Sequence, residues 1–299
     1  MAQENTLVFA PTYNEQGTIG TLIDALLALP VRCDLLFVDD SSTDGTTEYL
    51  RSVAAAEPRI HIIVRPGKLG VGSAHKLGWL YARVHGYSRI VTLDADLSHD
   101  PQDVPRHLAA LDAGADVAVG SRFCPGGRTD YQGWRRFLSY TANRLARLVL
   151  RLPVAEHTTA LRAVRLDRVP PGLVESVNAN GYSFFMTCIT RLARGGLIIK
   201  EVPIHFHDRG CGSSKMPRAA VAQAIVSLIR LALDRRPVEL LGIPQGSERQ
   251  CPFCGAPYRT FVAPGELLCL QCMGTVHSGS QIPPAKPEAC KTVDRSKRL

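Results

Sequence analysis

The chain has 299 residues, of which 45% are hydrophobic and 21% charged, a composition that is typical of globular proteins and excludes an intrinsically disordered one. This length accommodates one large domain, or one domain with a small appendage. The formal net charge of +8 is compatible with a phosphate-bearing substrate or an anionic membrane surface. It does not by itself indicate nucleic acid, and we expect no nucleic-acid partner.

Strand and helix patterns alternate along the first 120 residues. Short apolar runs predict strands at residues 7–10, 34–38, 60–64, 90–93 and 116–120. Amphipathic segments predict helices at residues 17–29, after the turn at 41–45, at 70–87 and at 101–111. This alternation with short connections predicts an α/β fold, in which a mainly parallel sheet is covered by helices on both faces.

Polar side chains follow three of these strands. Tyr13 and Glu15 follow the first strand, whereas pairs of carboxylates follow the second (39–40) and the fourth (94 and 96). Ligands of parallel sheets bind beyond the carboxyl ends of the strands, so we expect these groups to share one site. Two adjacent carboxylates repel each other, and a hard cation such as Mg²⁺ or Mn²⁺ relieves that cost. The alternative is that the acidic residues only open turns, and Asp44 is better explained as a helix cap than as a ligand contact.

The second half of the chain contains basic and apolar helical patterns. Residues 134–152 predict a helix that either packs with a solvated arginine face or borders a site for an anionic lipid acceptor. A strand near residue 165, a helix at 181–194 and a strand at 197–206 follow, and then a Gly/Ser loop at 208–215. For the helix predicted at 218–233, packing on the domain is the default interpretation, but its wide apolar surface favours a membrane interface or a homodimer contact.

No secretory signal and no segment of membrane-spanning length is visible in the sequence. The longest apolar stretch, residues 219–233, is interrupted by polar side chains and is shorter than the roughly 20 residues that a bilayer requires. We therefore expect a cytoplasmic protein, with peripheral contact to the cytoplasmic face of the membrane.

Several motifs, in order, resemble family 2 glycosyltransferases. They are PTYNE (11–15), VDDSSTDGT (38–46), LDADLSHDP (93–101) and GSRF (120–123). Three later segments narrow the resemblance to polyprenyl-phosphate (dolichol-phosphate) mannosyl- and glucosyltransferases: RFLSYTAN (136–143), EVPIHF (201–206) and RGCGSSKM (209–216). The resemblance covers about residues 6–236 and implies the nucleotide-diphospho-sugar transferase (GT-A) fold.

The resemblance implies an inverting transfer of mannose or glucose from a nucleotide diphosphate sugar to a polyprenyl phosphate. The residues that it implies for nucleotide-sugar binding are Pro11, Tyr13, Glu15, Asp40, Asp94 and Ala95. A Mg²⁺ or Mn²⁺ ion is assigned to Asp94 and Asp96. The implied catalytic residues are Asp96, Arg122, Arg209 and Lys215, and the implied acceptor-phosphate residues are Arg122 and Arg136.

We assign no catalytic base, because an acceptor phosphate is already largely ionised near neutral pH. The chain departs from its relatives at Glu156, Ala160, Ser98 and Thr187, where they typically carry Asp, Gly, Gln and a carboxylate. These differences leave the sugar and the acceptor open. Two alternatives therefore remain, namely transfer to a polysaccharide or protein hydroxyl, and a non-catalytic scaffold.

The C-terminal region carries two C-x-x-C pairs. Four thiolates at this spacing predict one structural Zn²⁺ in a module that resembles a zinc ribbon, with the ligands Cys251, Cys254, Cys269 and Cys272. A module of about 30 residues cannot bury an adequate core, so the metal should supply much of its folding free energy. We predict a glycosyltransferase domain at 1–236, a linker at 237–250, the ribbon at 251–280 and a disordered basic tail at 281–299.

Overall fold

The structure, a computed structural model, describes residues 5–170, 182–208 and 218–233, together with residues 173, 174, 177 and 179 and three short segments at 260–263, 266–268 and 275–277. Arg209, Lys215 and the four cysteines predicted to bind zinc lie outside the described residues, as do the predicted linker and tail. The domain boundaries therefore stay predictions.

The elements follow the predicted alternation closely. The strands are β1 (Thr6–Thr12), β2 (Asp34–Asp39), β3 (Ile60–Val64), β4 (Arg89–Thr92), β5 (Val117–Ser121), β6 (Arg128–Thr129), β7 (Arg162–Arg165), β8 (Ile199–Pro203) and β9 (His205–Phe206). The helices are α1 (Ile19–Leu27), α2 (Thr46–Ala56), α3 (Val71–Val84), α4 (Asp103–Asp112), α5 (Gly133–Leu150), α6 (Tyr182–Arg194) and α7 (Arg218–Leu233).

Seven of these strands form one sheet in the order β3-β2-β1-β4-β7-β5-β8. All neighbours are parallel except β7, which runs antiparallel to both β4 and β5. The predicted mainly parallel sheet is therefore confirmed. Because β1 lies between β2 and β4, the loops that leave these three strands emerge side by side.

Helices cover both faces of the sheet. Successive side chains of a strand point to opposite faces, and β1 carries apolar side chains on both. Leu7 and Phe9 of β1 pack into a cluster with α3 and α6, whereas Val8 and Ala10 pack into a second cluster with α1 and α4. These two cores fix the positions of the strand ends.

The predicted strand at 197–206 is wrong as a single element. It is divided into β8, which pairs with β5, and β9, which pairs with β6 in a separate two-stranded ribbon. Pro203 ends β8 because proline has no N–H to continue a ladder. The next N–H, that of Ile204, donates to the Ser121 carbonyl, and β9 then runs along β6.

Two helices carry apolar side chains on their surfaces. In α5, Ala146 and Leu150 are buried, whereas Trp134, Phe137 and Leu148 are more than half exposed. In α7, Leu228 packs into the core, and the exposed apolar side chains are Ile225, Val226, Ile229 and Leu233. Leu228 thus places α7 against the domain, whereas the membrane-interface or homodimer contact that the sequence favours stays a prediction. Among the described helices, none is both long and apolar enough to cross a membrane.

Within the predicted zinc ribbon, three short strands form an antiparallel sheet in the order β10-β11-β12. They are β10 (Thr260–Ala263), β11 (Glu266–Leu268) and β12 (Thr275–His277). The zinc site itself stays a prediction.

Candidate active site

The loops after β1, β2 and β4 form the candidate site at the carboxyl edge of the sheet. Each contains a non-glycine residue with a left-handed backbone, namely Asn14 (φ 58°), Ser41 (φ 56°) and Leu97 (φ 60°). Only one other such residue, Arg151, occurs in the described part of the chain. Strained backbone of this kind costs free energy and persists where surrounding contacts hold it, often at ligand sites.

Asp39, at the end of β2, is fully buried and serves the fold. Its carboxylate accepts hydrogen bonds from the hydroxyls of Thr12 (2.9 Å) and Thr47 (2.6 Å) and from both the hydroxyl and the backbone N–H of Ser42. Asp39 thus ties the ends of β1 and β2 to the first turn of α2.

Asp40, predicted to bind the nucleotide, is held by Arg65. The two side chains form a buried ion pair, and the second carboxylate oxygen accepts the Gly70 N–H at 3.2 Å. Burial raises the pKa of Asp40, although the Arg65 charge opposes this shift. Gly70, the residue before α3, has a φ of +90°, a backbone conformation that favours glycine.

Asp44 holds the loop after β2. Its carboxylate accepts the backbone N–H of Thr46, the first residue of α2, and that of Gln16 at 3.0 Å. The N-cap of α2 is Gly45, so the predicted capping role of Asp44 is wrong in detail: Asp44 forms an i to i+2 turn bond just before the helix and holds the loop that enters it.

Asp94 and Asp96 occupy the loop after β4. The Asp94 side chain is 29% exposed, whereas Asp96 is buried and its Oδ1 accepts the Ser98 hydroxyl and N–H. Ser98, which stands where relatives typically carry glutamine, thus orients Asp96. The carbonyl of the intervening Ala95 accepts the Thr18 hydroxyl at 3.0 Å.

The predicted nucleotide residues after β1 lie beside this loop. Thr18 also donates to the Glu15 carbonyl at 3.2 Å, so one hydroxyl links the Glu15 and Ala95 loops. Tyr13 is 38% exposed, and the Lys68 ammonium lies 3.8 Å from the centre of its ring. Pro11 is half-buried in β1. The structure therefore brings Pro11, Tyr13, Glu15, Asp40, Asp94, Ala95 and Asp96 to the ends of three adjacent strands.

Arg122, predicted to bind phosphate, is held in a buried ion pair with Glu156. Arg122 Nε lies 2.7 Å from Glu156 Oε2, and Nη2 lies 2.9 Å from both Glu156 Oε1 and the Thr158 hydroxyl. Burial acts to raise the pKa of Glu156, but the charge and hydrogen bonds of Arg122 outweigh it and lower that pKa. The sequence offered no signal for this pairing.

Residues 156–159 connect the site to the rest of the molecule. His157 N–H donates to Asn143 Oδ1 of α5 at 2.8 Å, and the Thr159 hydroxyl contacts His99 Nε2 at 3.2 Å. Burial lowers the pKa of His99 to about 3, so this ring, 3.7 Å from Asp94 Oδ2, is neutral near pH 7. Arg136, by contrast, is exposed in the first turn of α5.

Comparison with known sequences identifies the family. Residues 7–168 match the family described as Glycosyl transferase family 2. The chain belongs to this family. Among curated glycosyltransferases, it is 37% identical over 238 residues to polyprenol monophosphomannose synthase of Mycolicibacterium smegmatis, spanning 78% of this chain and 90% of that protein. It is 35% identical over 231 residues to undecaprenyl-phosphate mannosyltransferase of Micrococcus luteus, spanning 77% of this chain and 95% of that protein.

Solved structures confirm the GT-A fold of this family 2 glycosyltransferase. Glucosyl-3-phosphoglycerate synthase from Mycobacterium tuberculosis, in complex with Mn²⁺, uridine-diphosphate and phosphoglyceric acid, superposes with a TM-score of 0.58 at 21% identity. That match covers 88% of this chain and 89% of the other. The same enzyme with phosphoglyceric acid gives a TM-score of 0.57 at 23% identity, covering 77% and 81% of the two chains.

The donor set of the β4 loop suits a hard divalent cation in this family 2 glycosyltransferase. Asp94 and Asp96 offer carboxylate oxygens, the ligands that Mg²⁺ and Mn²⁺ prefer. The partial exposure of Asp94 gives access from solvent, and the contact from Ser98 fixes the orientation of Asp96.

Sequence reasoning missed three contributors to the glycosyltransferase site. They are Arg65, which pairs with Asp40, and the buried histidines His99 and His157, which hold the Asp94 loop and α5. His99 lies inside the motif at 93–101, but its sequence neighbours Ser98 and Asp100 are polar and gave no signal that the ring is buried. Arg65 lies 25 residues from Asp40, and nothing in the local sequence links the two.

Proposed function

We propose that this protein transfers a hexose, mannose or glucose, from a nucleotide diphosphate sugar to a polyprenyl phosphate. The observation that carries the proposal is the Asp94–Asp96 loop, placed beside the Tyr13 and Glu15 loop at the edge of the sheet. The alignment over 90% or more of two enzymes named for mannosyl transfer to prenyl phosphates supports this acceptor class.

The nucleotide would bind across the ends of β1 and β2. The half-exposed Tyr13 ring, Pro11 and Glu15 would contact the base and ribose. Asp40 would contribute through the loop that it holds with Arg65, because its carboxylate is already engaged there. The backbone at Ala95 would approach the diphosphate.

Asp94 and Asp96 would hold Mg²⁺ or Mn²⁺. When bound, such an ion neutralises the negative charge that develops on a departing nucleoside diphosphate. Ser98 keeps Asp96 oriented towards this task, and His99, being neutral, adds no competing positive charge.

Inverting transfer to a phosphate needs no catalytic base. An acceptor phosphate is largely ionised near neutral pH, so it attacks the anomeric carbon directly from the face opposite the leaving group. Transfer to a hydroxyl would need a base. Glu156 is unsuited to that role because both of its oxygens already accept hydrogen bonds from Arg122 or Thr158. Glu156 is therefore excluded as the base that a hydroxyl acceptor would need.

The acceptor would approach along α5. Arg122 and Arg136 would attract its phosphate, and the exposed Trp134, Phe137 and Leu148 provide an apolar surface for its lipid chain or for a membrane interface. We accordingly propose peripheral binding at the cytoplasmic face of a membrane. Arg209 and Lys215 as phosphate ligands, the zinc ribbon and a homodimer remain proposals that rest on the sequence.

Transfer is tested with radiolabelled GDP-mannose and UDP-glucose, Mn²⁺ and vesicles that contain a polyprenyl phosphate. We expect label in the lipid phase with one of the donors, and no label when Mn²⁺ is chelated. If no donor across a panel labels the lipid while the protein is folded, the proposed function is wrong. Label appearing in the lipid phase without any divalent ion would contradict the role of Asp94 and Asp96.

A further inference from the structure

A second cluster of metal-ligand side chains lies on the β6–β9 ribbon. Asp130 directly follows β6, and His205 and His207 lie two residues apart in and after β9. Backbone hydrogen bonds fix their placement: the Asp130 N–H donates to the Phe206 carbonyl at 3.0 Å, and the His207 N–H donates to the Ser98 carbonyl at 3.0 Å. The three side chains therefore meet on a rigid framework.

The potential ligand atoms converge closely. Asp130 Oδ1 lies 2.6 Å from His205 Nε2, and Asp130 Oδ2 lies 3.3 Å from His207 Nδ1. One ligand atom from each residue lies within 4.8 Å of the others, and this is the one such His/Cys/Asp/Glu group found in the described residues. Ligand atoms in a tetrahedral zinc shell are about 3.3–3.5 Å apart, given bonds of about 2.0–2.2 Å. Small side-chain rotations would suffice to reach that geometry.

The chemistry of the cluster favours a borderline metal over a hard one. Two imidazoles and one carboxylate suit Zn²⁺ and similar transition metals, whereas Mg²⁺ prefers oxygen ligands alone. The three side chains are each 42–43% exposed, which gives an ion access from solvent.

We propose that Asp130, His205 and His207 form a Zn²⁺-type site with three protein ligands, separate from the Asp94–Asp96 pair. A metal there would replace the hydrogen bonds that now join the carboxylate to the two rings. It would cross-link the segment between β6 and α5 to the end of β9, directly before Asp208 and the predicted phosphate ligand Arg209. The inference does not depend on the proposed transferase activity.

The test is equilibrium dialysis of the full chain against Zn²⁺ with Mg²⁺ in large excess, and the readout is zinc bound per chain. We expect the His205→Asn/His207→Asn double variant to bind one equivalent less than the unmodified protein. Because the predicted ribbon cysteines are unchanged in both, their zinc cancels in the difference. The matched control is His85→Asn. It removes an exposed imidazole at the C-terminal end of α3, outside the cluster, and should leave the zinc content unchanged.

Two further variants make the result decisive. Asp130→Asn should weaken binding of the same equivalent, whereas Asp96→Asn should retain it. Equal zinc content and affinity in the unmodified and double-variant proteins, with both folded by circular dichroism, would overturn the proposal. Loss of this equivalent in Asp96→Asn would also overturn it, because the ion would then belong to the donor site.

Discussion

Two acidic pairs that look alike in the sequence have different surroundings in the fold. Asp39 and Asp40 end β2, and their carboxylates are buried and engaged by Thr12, Thr47 and Arg65. Asp94 and Asp96 follow β4, and there the Asp94 side chain is 29% exposed. The first pair holds the edge of the sheet together, and we infer that the second pair binds the donor. A carboxylate pair at a strand end is therefore no proof of a ligand site until its partners are known.

The largest effect on activity is expected from Asp96→Asn. A neutral amide is a poorer ligand for a divalent cation, so transfer to lipid should fall by about 10³-fold, comparable to the loss of a strong electrostatic contact to the transition state. The measurement is the initial rate of label transfer at saturating Mn²⁺. Asp100→Asn, the same change at an exposed position of the same loop, is the control and should keep its rate. Equal losses of transfer rate in Asp96→Asn and Asp100→Asn would contradict the role of Asp96 as a metal ligand.

Glu156→Gln should cause the largest loss of stability. Removing one partner of a buried ion pair leaves Arg122 uncompensated and costs about 3–5 kcal/mol. Urea denaturation measures the change in free energy of unfolding. Glu48→Gln, at an exposed position of α2, should change it by less than about 0.5 kcal/mol.

The same pair gives a pH dependence with a definite sign. The pKa of Glu156 is lower in the folded protein than the value of about 4.3 expected when unfolded, so the unfolded state binds more protons between the two values. Stability from this group is therefore present above about pH 4.3 and is lost as the pH falls towards the folded pKa. In Glu156→Gln, the free energy of unfolding should fall less steeply over this range. An equally steep fall would show that other carboxylates account for it.

Asp39→Ala is expected to destabilise the fold by about 2–4 kcal/mol, because it leaves the buried hydroxyls of Thr12 and Thr47 and the partly buried hydroxyl of Ser42 without their acceptor. Asp24→Ala, at an exposed position of α1, is the control and should have little effect. The comparison of the two acidic pairs would fail if Asp96→Asn lowered the melting temperature more than Asp39→Ala did.

The smallest effect is expected on the surface of α5. Leu148 is 68% exposed, and Leu148→Ser should weaken binding to anionic vesicles by about tenfold, in line with the loss of part of a buried leucine. Vesicle sedimentation measures this binding. Ile198→Ser removes an exposed apolar side chain outside α5 and should leave vesicle binding unchanged. If both variants bind as tightly as the unmodified protein, α5 is not the membrane-facing surface.

Local sequence patterns predicted most elements because periodicity and capping act over a few residues. The strand at 60–64 and the helix at 218–233 match the structure at both ends, and most other boundaries shift by a few residues. The strand near residue 165 was predicted, but its antiparallel direction as β7 and the two-stranded ribbon of β6 and β9 were not, since strand direction and partners depend on distant segments.

In the candidate site, too, local features were predictable from the sequence and long-range contacts were not. Motifs placed Asp94 and Asp96 at a strand end, because the residues and the strand are contiguous. The partners of Asp40 and Arg122 lie 25 and 34 residues away and become neighbours only in the folded sheet. The sequence motifs therefore predicted Arg122 as a phosphate ligand but could not reveal its ion pair with Glu156.

Isothermal titration calorimetry of nucleotide-sugar binding, with and without Mn²⁺, tests most directly whether the β4 pair binds the donor. We expect the unmodified protein to bind GDP-mannose or UDP-glucose only when Mn²⁺ is present. Asp96→Asn should bind neither donor, with or without Mn²⁺. Asp100→Asn should bind as the unmodified protein does. Donor binding of equal strength without Mn²⁺, or unchanged by Asp96→Asn, would contradict the assignment of Asp94 and Asp96.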